Sequence, residues 1–233
     1  MRQFFVNEKL EINDTCDFDR AQSHHIADVL RMKNGDEVRI VDSSNRVFKG
    51  VLNFENGKVR ATLTQEIETE EQASVTCVAA LIKKEKWELM IQKACELGAT
   101  RIVPLVTKRT IIRLEEKEIK KKLERWNKIA LEACQQSNRS TVCTVERPVT
   151  IKDIDQYRQE VNLVAYENEN DSRLRDYLSS DAITFVVGPE GGLRQDEVDL
   201  LNEKGFVSVS LGSRILRAET AVMFVLSVIE GLR

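Results

Sequence analysis

The chain has 233 residues, 42% hydrophobic and 31% charged, which is enough for one large soluble domain or two smaller ones. A formal net charge of -3 excludes a uniformly basic nucleic-acid coat, and Met1-Arg-Gln-Phe-Phe-Val6 passes straight to Asn7, Glu8 and Lys9 rather than into a secretory leader. The most apolar stretch, 218–232, is broken by Glu219 and Glu230 and is too short to span a bilayer, so a cytoplasmic protein is expected.

In chain order, residues 2–6 predict a short strand. Asp19 predicts the cap of a helix running to about Met32, with Ile26, Val29 and Leu30 on its apolar side and Lys33-Asn-Gly35 as its stop. Residues 37–42, 46–54 and 58–66 alternate apolar and polar side chains between turns at Ser43-Ser-Asn45 and Glu55-Asn-Gly57. Three antiparallel strands and one helix predict a small β-barrel-like unit over 1–72, ending in an acidic linker over 66–72.

The pattern then changes to alternating strands and helices. The apolar run 75–82 reads as a buried parallel strand, 84–97 as a helix stopping at Gly98, 102–106 as a strand, and 115–137 as a long helix. Strands follow at 163–166, 183–187 and 207–211, with helices at 172–178, 195–203 and 218–232. This predicts an α/β domain over 73–233 with a mostly parallel sheet.

Charge is uneven along these segments. Residues 73–150 hold 16 basic and 9 acidic side chains, whereas the segments on either side are net acidic. A local phosphate-binding face and an ordinary solvated helix surface, carrying Lys120-Lys-Lys122, both account for this. Five scattered cysteines without Cys-x-x-Cys spacing and only two histidines, His24 and His25, give no converging ligand set of the kind zinc requires, so no metal is expected.

Candidate chemistry falls beyond the carboxyl ends of the last three strands, where open α/β sheets bind ligands. Tyr166-Glu-Asn-Glu-Asn170, Gly188-Pro-Glu-Gly-Gly-Leu193 and Leu211-Gly-Ser-Arg-Ile-Leu216 are the loops there. Glycines let a ligand approach main-chain amides and carbonyls, a suitable wall for adenine, although a tight turn before a helix would use the same residues. Gly-x-Gly-x-x-Gly is absent, which disfavours a dinucleotide loop. Arg214 and Arg217 stand before a nearly all-apolar helix, where they either meet an anion or pair with Glu219 or Glu190.

Gly188-Pro-Glu-Gly-Gly192 followed by Leu211-Gly-Ser-Arg-Ile-Leu-Arg-Ala-Glu-Thr-Ala221 resembles the family that methylates N3 of a uridine in 16S ribosomal RNA, within the SPOUT superfamily. Arg2-x-Phe-Phe and His25-Ile-x-x-Val-Leu-Arg31 with Gly35-Asp36 resemble its PUA-like RNA-binding domain. Lys93-Ala-Cys-Glu-Leu-Gly98, Pro104-Leu105, Arg109 and Glu132-Ala-Cys-Gln-Gln-Ser-Asn-Arg139 match further blocks, with Gln135 where the family often has Glu. The resemblance implies a PUA-like domain over 1–72 and a methyltransferase domain over 73–233 whose C-terminal helix threads a deep trefoil knot. It also implies a homodimer, and a single target uridine (uridine 1498) in the small ribosomal subunit.

The resemblance places S-adenosylmethionine against Tyr166, Glu167, Val187, Gly188, Pro189, Glu190, Gly191, Gly192, Leu211, Gly212, Ile215, Leu216, Arg217 and Thr220. Uridine N3 carries a proton, so the protein must assist its loss or stabilise the anion; Arg217 suits the second task and Glu190 the first. Arg2, Arg31, Lys83, Lys84, Lys86, Arg109, Arg113 and Arg139 are the expected phosphate contacts. Two rival readings of the sequence are a related enzyme acting on another base or a ribose hydroxyl, and a non-catalytic RNA-binding assembly protein.

Overall fold

The computed structural model describes residues 1–55, 58–70 and 72–232. The chain divides into two compact units, Met1–Glu71 with Cys134–Thr141, and Gln72–Ala133 with Val142–Arg233.

In the first unit, β1 (Arg2–Phe5) pairs in parallel with β3 (Glu37–Val41), which continues antiparallel into β4 (Val47–Glu55) and β5 (Lys58–Ile67). A short β2 (Thr15–Asp17) completes the sheet against β5, giving the order β1-β3-β4-β5-β2. The alternation in sequence becomes alternation in space: Phe48 and Leu52 of β4, and Val59, Ala61 and Leu63 of β5, are buried around Phe4, Phe18 and Ile26. The strand β2 is absent from the sequence reading because three residues, two of them polar and exposed, carry no detectable period. The turn expected at Glu55-Asn-Gly57 lies partly outside the described residues.

Asp19 does cap a helix, α1 (Arg20–His24): its carboxylate accepts Gln22 N at 2.7 Å, and Gln22 Oε1 accepts Asp19 N at 3.4 Å. The helix does not continue regularly to Met32. It widens into a π-type turn over His25–Val29, where Leu30 N reaches His25 O at 2.8 Å, and Arg31 then takes φ 54°. An i→i+5 turn moves later side chains off the 3.6-residue stripe. Ile26 therefore stays fully buried while Val29 is 61% exposed, against the expectation for that position.

The second unit is a seven-stranded sheet whose every pairing is parallel. Its strands are β6 (Ser74–Ala80), β7 (Arg101–Val106), β8 (Thr144–Val145), β9 (Val149–Thr150), β10 (Val161–Ala165), β11 (Ala182–Val187) and β12 (Val207–Val209). They run in the order β12-β10-β11-β6-β7-β8, with β9 beside β7. Strands β6 and β11 are buried almost throughout, which is why they read as runs that are apolar but for Thr76 and Thr184. Helices α2 (Lys84–Glu96), α3 (Glu116–Gln136), α4 (Gln195–Glu203) and α5 (Ala218–Gly231) accompany them.

Two expectations shorten. The helix foreseen at 172–178 is only a 3-10 turn, Leu174–Tyr177, because a single side chain, Leu174, is buried there. The last strand stops at Val209, and Ser210 instead bridges Arg173. The two-residue strands β8 and β9 and the 3-10 helix Ile151–Tyr157 are too short for periodicity to reveal.

Among the described residues, no helix is long and apolar enough to cross a membrane, and no cluster of three metal-ligating side chains occurs. All five cysteines are buried; burial pushes Cys16 up to about 11 and raises Cys77 as well.

The helical layer beside β6 is keyed by Trp87 of α2, 1% exposed, set edge-on to Trp126 of α3 with ring centroids 5.5 Å apart. Trp87 Nε1 is buried without a hydrogen-bond partner, so the side chain contributes by packing alone. We expect Trp87→Ala to cost about 3–5 kcal/mol in urea unfolding of the full chain. Trp87→Phe, which keeps an aromatic ring and removes the unsatisfied N–H, should cost under about 1.5 kcal/mol.

Candidate functional site

The site begins with strand register. Ala165 at the end of β10 lies opposite Val187 at the end of β11 on one side and Val209 at the end of β12 on the other. The three chains therefore leave the sheet at one level, and their loops enclose a cleft of about 400 Å³. That volume lies within the usual range for a small-molecule site.

The middle loop is a tight turn in which Gly192 N donates to Pro189 O at 2.9 Å, with Gly192 at φ +70°. A side chain at Gly192 would be strained by that angle and would collide with the Glu167 carboxylate. At Gly188 the constraint is space: a Cβ would stand 3.0 Å from Leu193 Cγ and 3.1 Å from Leu193 N. The glycine turn thus serves both readings left open by its sequence, since it is sterically required and it also presents bare main chain to the cleft. The first loop is fixed by Tyr166, whose hydroxyl donates to Gln195 Oε1 at 2.9 Å and accepts from Asn168 Nδ2 at 2.9 Å.

Of the expected cofactor contacts, Tyr166, Glu167, Val187, Gly188, Pro189, Glu190, Gly191, Gly192, Leu211, Gly212, Ile215 and Leu216 line this cleft. Arg217 and Thr220 do not. Arg217 is the N-cap residue of α5, in extended conformation with its carbonyl accepting Ala221 N at 2.8 Å, and its side chain is exposed. Arg214, named only as a companion of Arg217, does line the cleft. Ala218 and Ala221 line it as well; two small residues three apart on the first turn of α5 were the available signal.

Among the described residues, neither Arg214 nor Arg217 forms an ion pair. Glu219, 9% exposed, pairs instead with Lys86 of α2 at 3.3 Å. That contact changes the expectation for Lys86, whose charge is already met by a carboxylate. Arg109 Nη1 donates to Gly191 O at 2.6 Å, so it too is engaged within the domain. Arg139 is 5% exposed, and its carbonyl accepts Gln3 Nε2 at 2.7 Å; a buried guanidinium does not present itself to solvent phosphate. Lys83, Lys84 and Arg113 are exposed in the second unit, as are Arg2 and Arg31 in the first.

The cleft can hold a flat, largely neutral group against main chain while arginines stand at its mouth. Comparison with known proteins bears on what that group is. A model of the RNA methyltransferase domain matches residues 69–230, and a model of the RNA methyltransferase PUA domain matches residues 18–63. A Bacillus subtilis protein named ribosomal RNA small subunit methyltransferase E is 34% identical, with 99% of this chain and 96% of the relative aligned. One of the same name from Rickettsia conorii is 33% identical over 95% of this chain and 91% of its own length. Among solved structures, ribosomal RNA small subunit methyltransferase E from Neisseria gonorrhoeae, bound to S-adenosyl methionine, superposes with a TM-score of 0.90 at 29% identity, covering 100% of this chain and 98% of that one. With matching models on both parts of the sequence and relatives aligned along nearly all of it, the chain belongs to the ribosomal RNA small subunit methyltransferase E family of RNA methyltransferases.

Proposed function

We propose that this protein transfers the methyl group of S-adenosylmethionine to N3 of one uridine, uridine 1498, in 16S ribosomal RNA. The observation that carries the reading is the main-chain-lined cleft where β10, β11 and β12 end together, in a chain that superposes along its whole length on a relative bound to S-adenosyl methionine.

The residues present fit that cofactor. Gly188 and Gly192 bring backbone close to the bound group, Leu211 and Leu216 supply apolar walls, and Tyr166 and Glu167 close the side next to Gly192. The cofactor supplies an electrophilic methyl group on a sulfonium whose thioether leaves readily. The chain's own task is to make N3 nucleophilic. Loss of the N3 proton spreads negative charge onto the two flanking carbonyl oxygens of the uracil, and a permanently charged guanidinium with several donors is suited to hold it. Arg217 is our assignment for that role: it stands free at the positive end of α5, immediately before Ala218 and Ala221 of the cleft. Glu190, exposed on the glycine turn, is assigned as proton acceptor or base-positioning group.

The remaining elements of the proposal are inferences that the family resemblance supports. The chain acts in the cytoplasm as a homodimer on the small ribosomal subunit, and α5 threads a SPOUT-type trefoil knot over the methyltransferase domain, 73–233. The PUA-like domain, 1–72, binds RNA through Arg2 and Arg31, and Lys83, Lys84 and Arg113 contact phosphates in the methyltransferase domain. Arg139 and Lys86 are less suited to that role because one is buried and the other is paired.

The direct test is nucleoside mass spectrometry of 16S RNA from cells lacking the protein: one N3-methyluridine should be absent, and its persistence would overturn the reading. With unmethylated small-subunit RNA as substrate, Arg217→Ala should lower kcat by about a hundredfold or more while cofactor affinity changes little, as expected for an interaction made mainly in the transition state. Full turnover would remove Arg217 from the chemistry. Replacing Lys83 and Lys84 together by alanine should weaken RNA binding several-fold and lower the salt slope by about one to two units. An unchanged slope would count against that surface.

A further inference from the structure

The segment after β7, Thr107-Lys-Arg-Thr110, is tied to the cofactor cleft by an arrangement that the proposed function does not use. Thr107 and Thr110 are buried, and Thr110 Oγ1 accepts Thr107 N at 2.9 Å while the two hydroxyls share a second bond of 2.9 Å. This braces the turn internally. From it, two anchors run to the start of α4. Glu197, 5% exposed, accepts Lys108 N at 2.8 Å through Oε1 and Arg194 N at 3.0 Å through Oε2. The Lys108 ammonium pairs with Asp196, which holds that carboxyl below the usual carboxylate range.

A third anchor reaches the glycine turn itself, where Arg109 Nη1 donates to Gly191 O at 2.6 Å. The arginine stem lies close against the turn: a Cβ at Gly191 would be 3.5 Å from Arg109 Cδ. The peptide between Gly191 and Gly192 has a glycine on each side, so sterics do little to set the orientation of its plane. Because that unit is planar, its C=O and N–H point in opposite directions and move together. Here both ends are held, the oxygen by Arg109 and the N–H by Pro189 O at 2.9 Å. A charged donor on the oxygen strengthens the hold.

We infer that Arg109 is a positioning residue for methyl transfer, fixing the Gly191–Gly192 peptide plane that walls the cofactor cleft, and that neutralising RNA phosphate is not its function. The inference rests on the proposed reading of the cleft as the cofactor site. It makes the β7–α3 connection part of the cofactor-binding machinery, although that connection contributes no residue to the cleft lining.

The test uses the full-length protein, S-adenosylhomocysteine as the calorimetric probe, methyl-transfer kinetics on unmethylated small-subunit RNA, and RNA binding across a salt series. Arg109→Ala should weaken cofactor affinity and raise its KM by about tenfold, with kcat within about twofold and the RNA salt slope unchanged. Arg109→Lys, which retains one charged donor, should recover to within about threefold of the parent. Amide exchange at Gly192 should accelerate in Arg109→Ala. Unchanged cofactor affinity in Arg109→Ala with a salt slope lower by about one would make Arg109 a phosphate contact and overturn the inference. A fall in kcat at constant KM would overturn it too. If the parent protein itself binds no S-adenosylhomocysteine, the cofactor reading falls and takes the inference with it; if the parent binds and Arg109→Ala binds equally well, only the inference falls.

Discussion

Everything proposed for this site depends on the register of three parallel strands. Parallel pairing sets Ala165 level with both Val187 and Val209, and adjacent strands in a sheet stand about 5 Å apart. The loops that follow therefore lie side by side and enclose the cleft. Within the middle loop, Gly188 has no space for a side chain beside Leu193, and Gly192 holds a backbone angle that side-chain-bearing residues resist. Burial of β10 and β11 in the sheet interior holds the register, since a one-residue slip would exchange the side chains packed in their two buried layers.

Helix α5 extends the same logic from shape to charge. Its buried face of Ala221, Val222, Val225, Leu226 and Ile229 fixes the axis against β6, β11 and α2. The buried Glu219 is compensated by Lys86, so the arginines just upstream are not consumed by the helix's own acidic residue. Arg214 at the cleft and Arg217 at the helix cap thus stay available to ligand and substrate. The glycine turn shapes one wall, while the arginine segment brings charge to its mouth.

Much of this was legible in sequence wherever burial imposes a long, simple pattern. The runs at 75–82 and 183–187, apolar but for Thr76 and Thr184, correspond to strands buried almost throughout, and alternation at 46–54 and 58–66 corresponds to β4 and β5. The glycine turn and twelve of the fourteen expected cofactor contacts fall in the cleft. What stayed hidden lacked a period or depended on distant partners. The π-type turn shifts Val29 outward without changing composition, and β2, β8 and β9 are too short to repeat. Arg109 stands 82 residues from Gly191, and Lys108 stands 89 from Glu197, so neither contact leaves a local trace. Local sequence likewise gave no sign that Lys86 pairs with Glu219, that Arg109 bonds the Gly191 carbonyl or that Arg139 is buried.

The cleft formed by Tyr166, the Gly188–Gly192 turn and the Leu211–Leu216 segment is the proposed methyl-donor site. A crystal structure of the full-length protein with S-adenosylhomocysteine tests it most directly. Adenine should be hydrogen-bonded to main chain of these three loops, with the homocysteine sulfur directed toward the mouth where Arg214 and Arg217 stand. Ligand density elsewhere in the molecule, or an adenine held by side chains outside these loops, would contradict it.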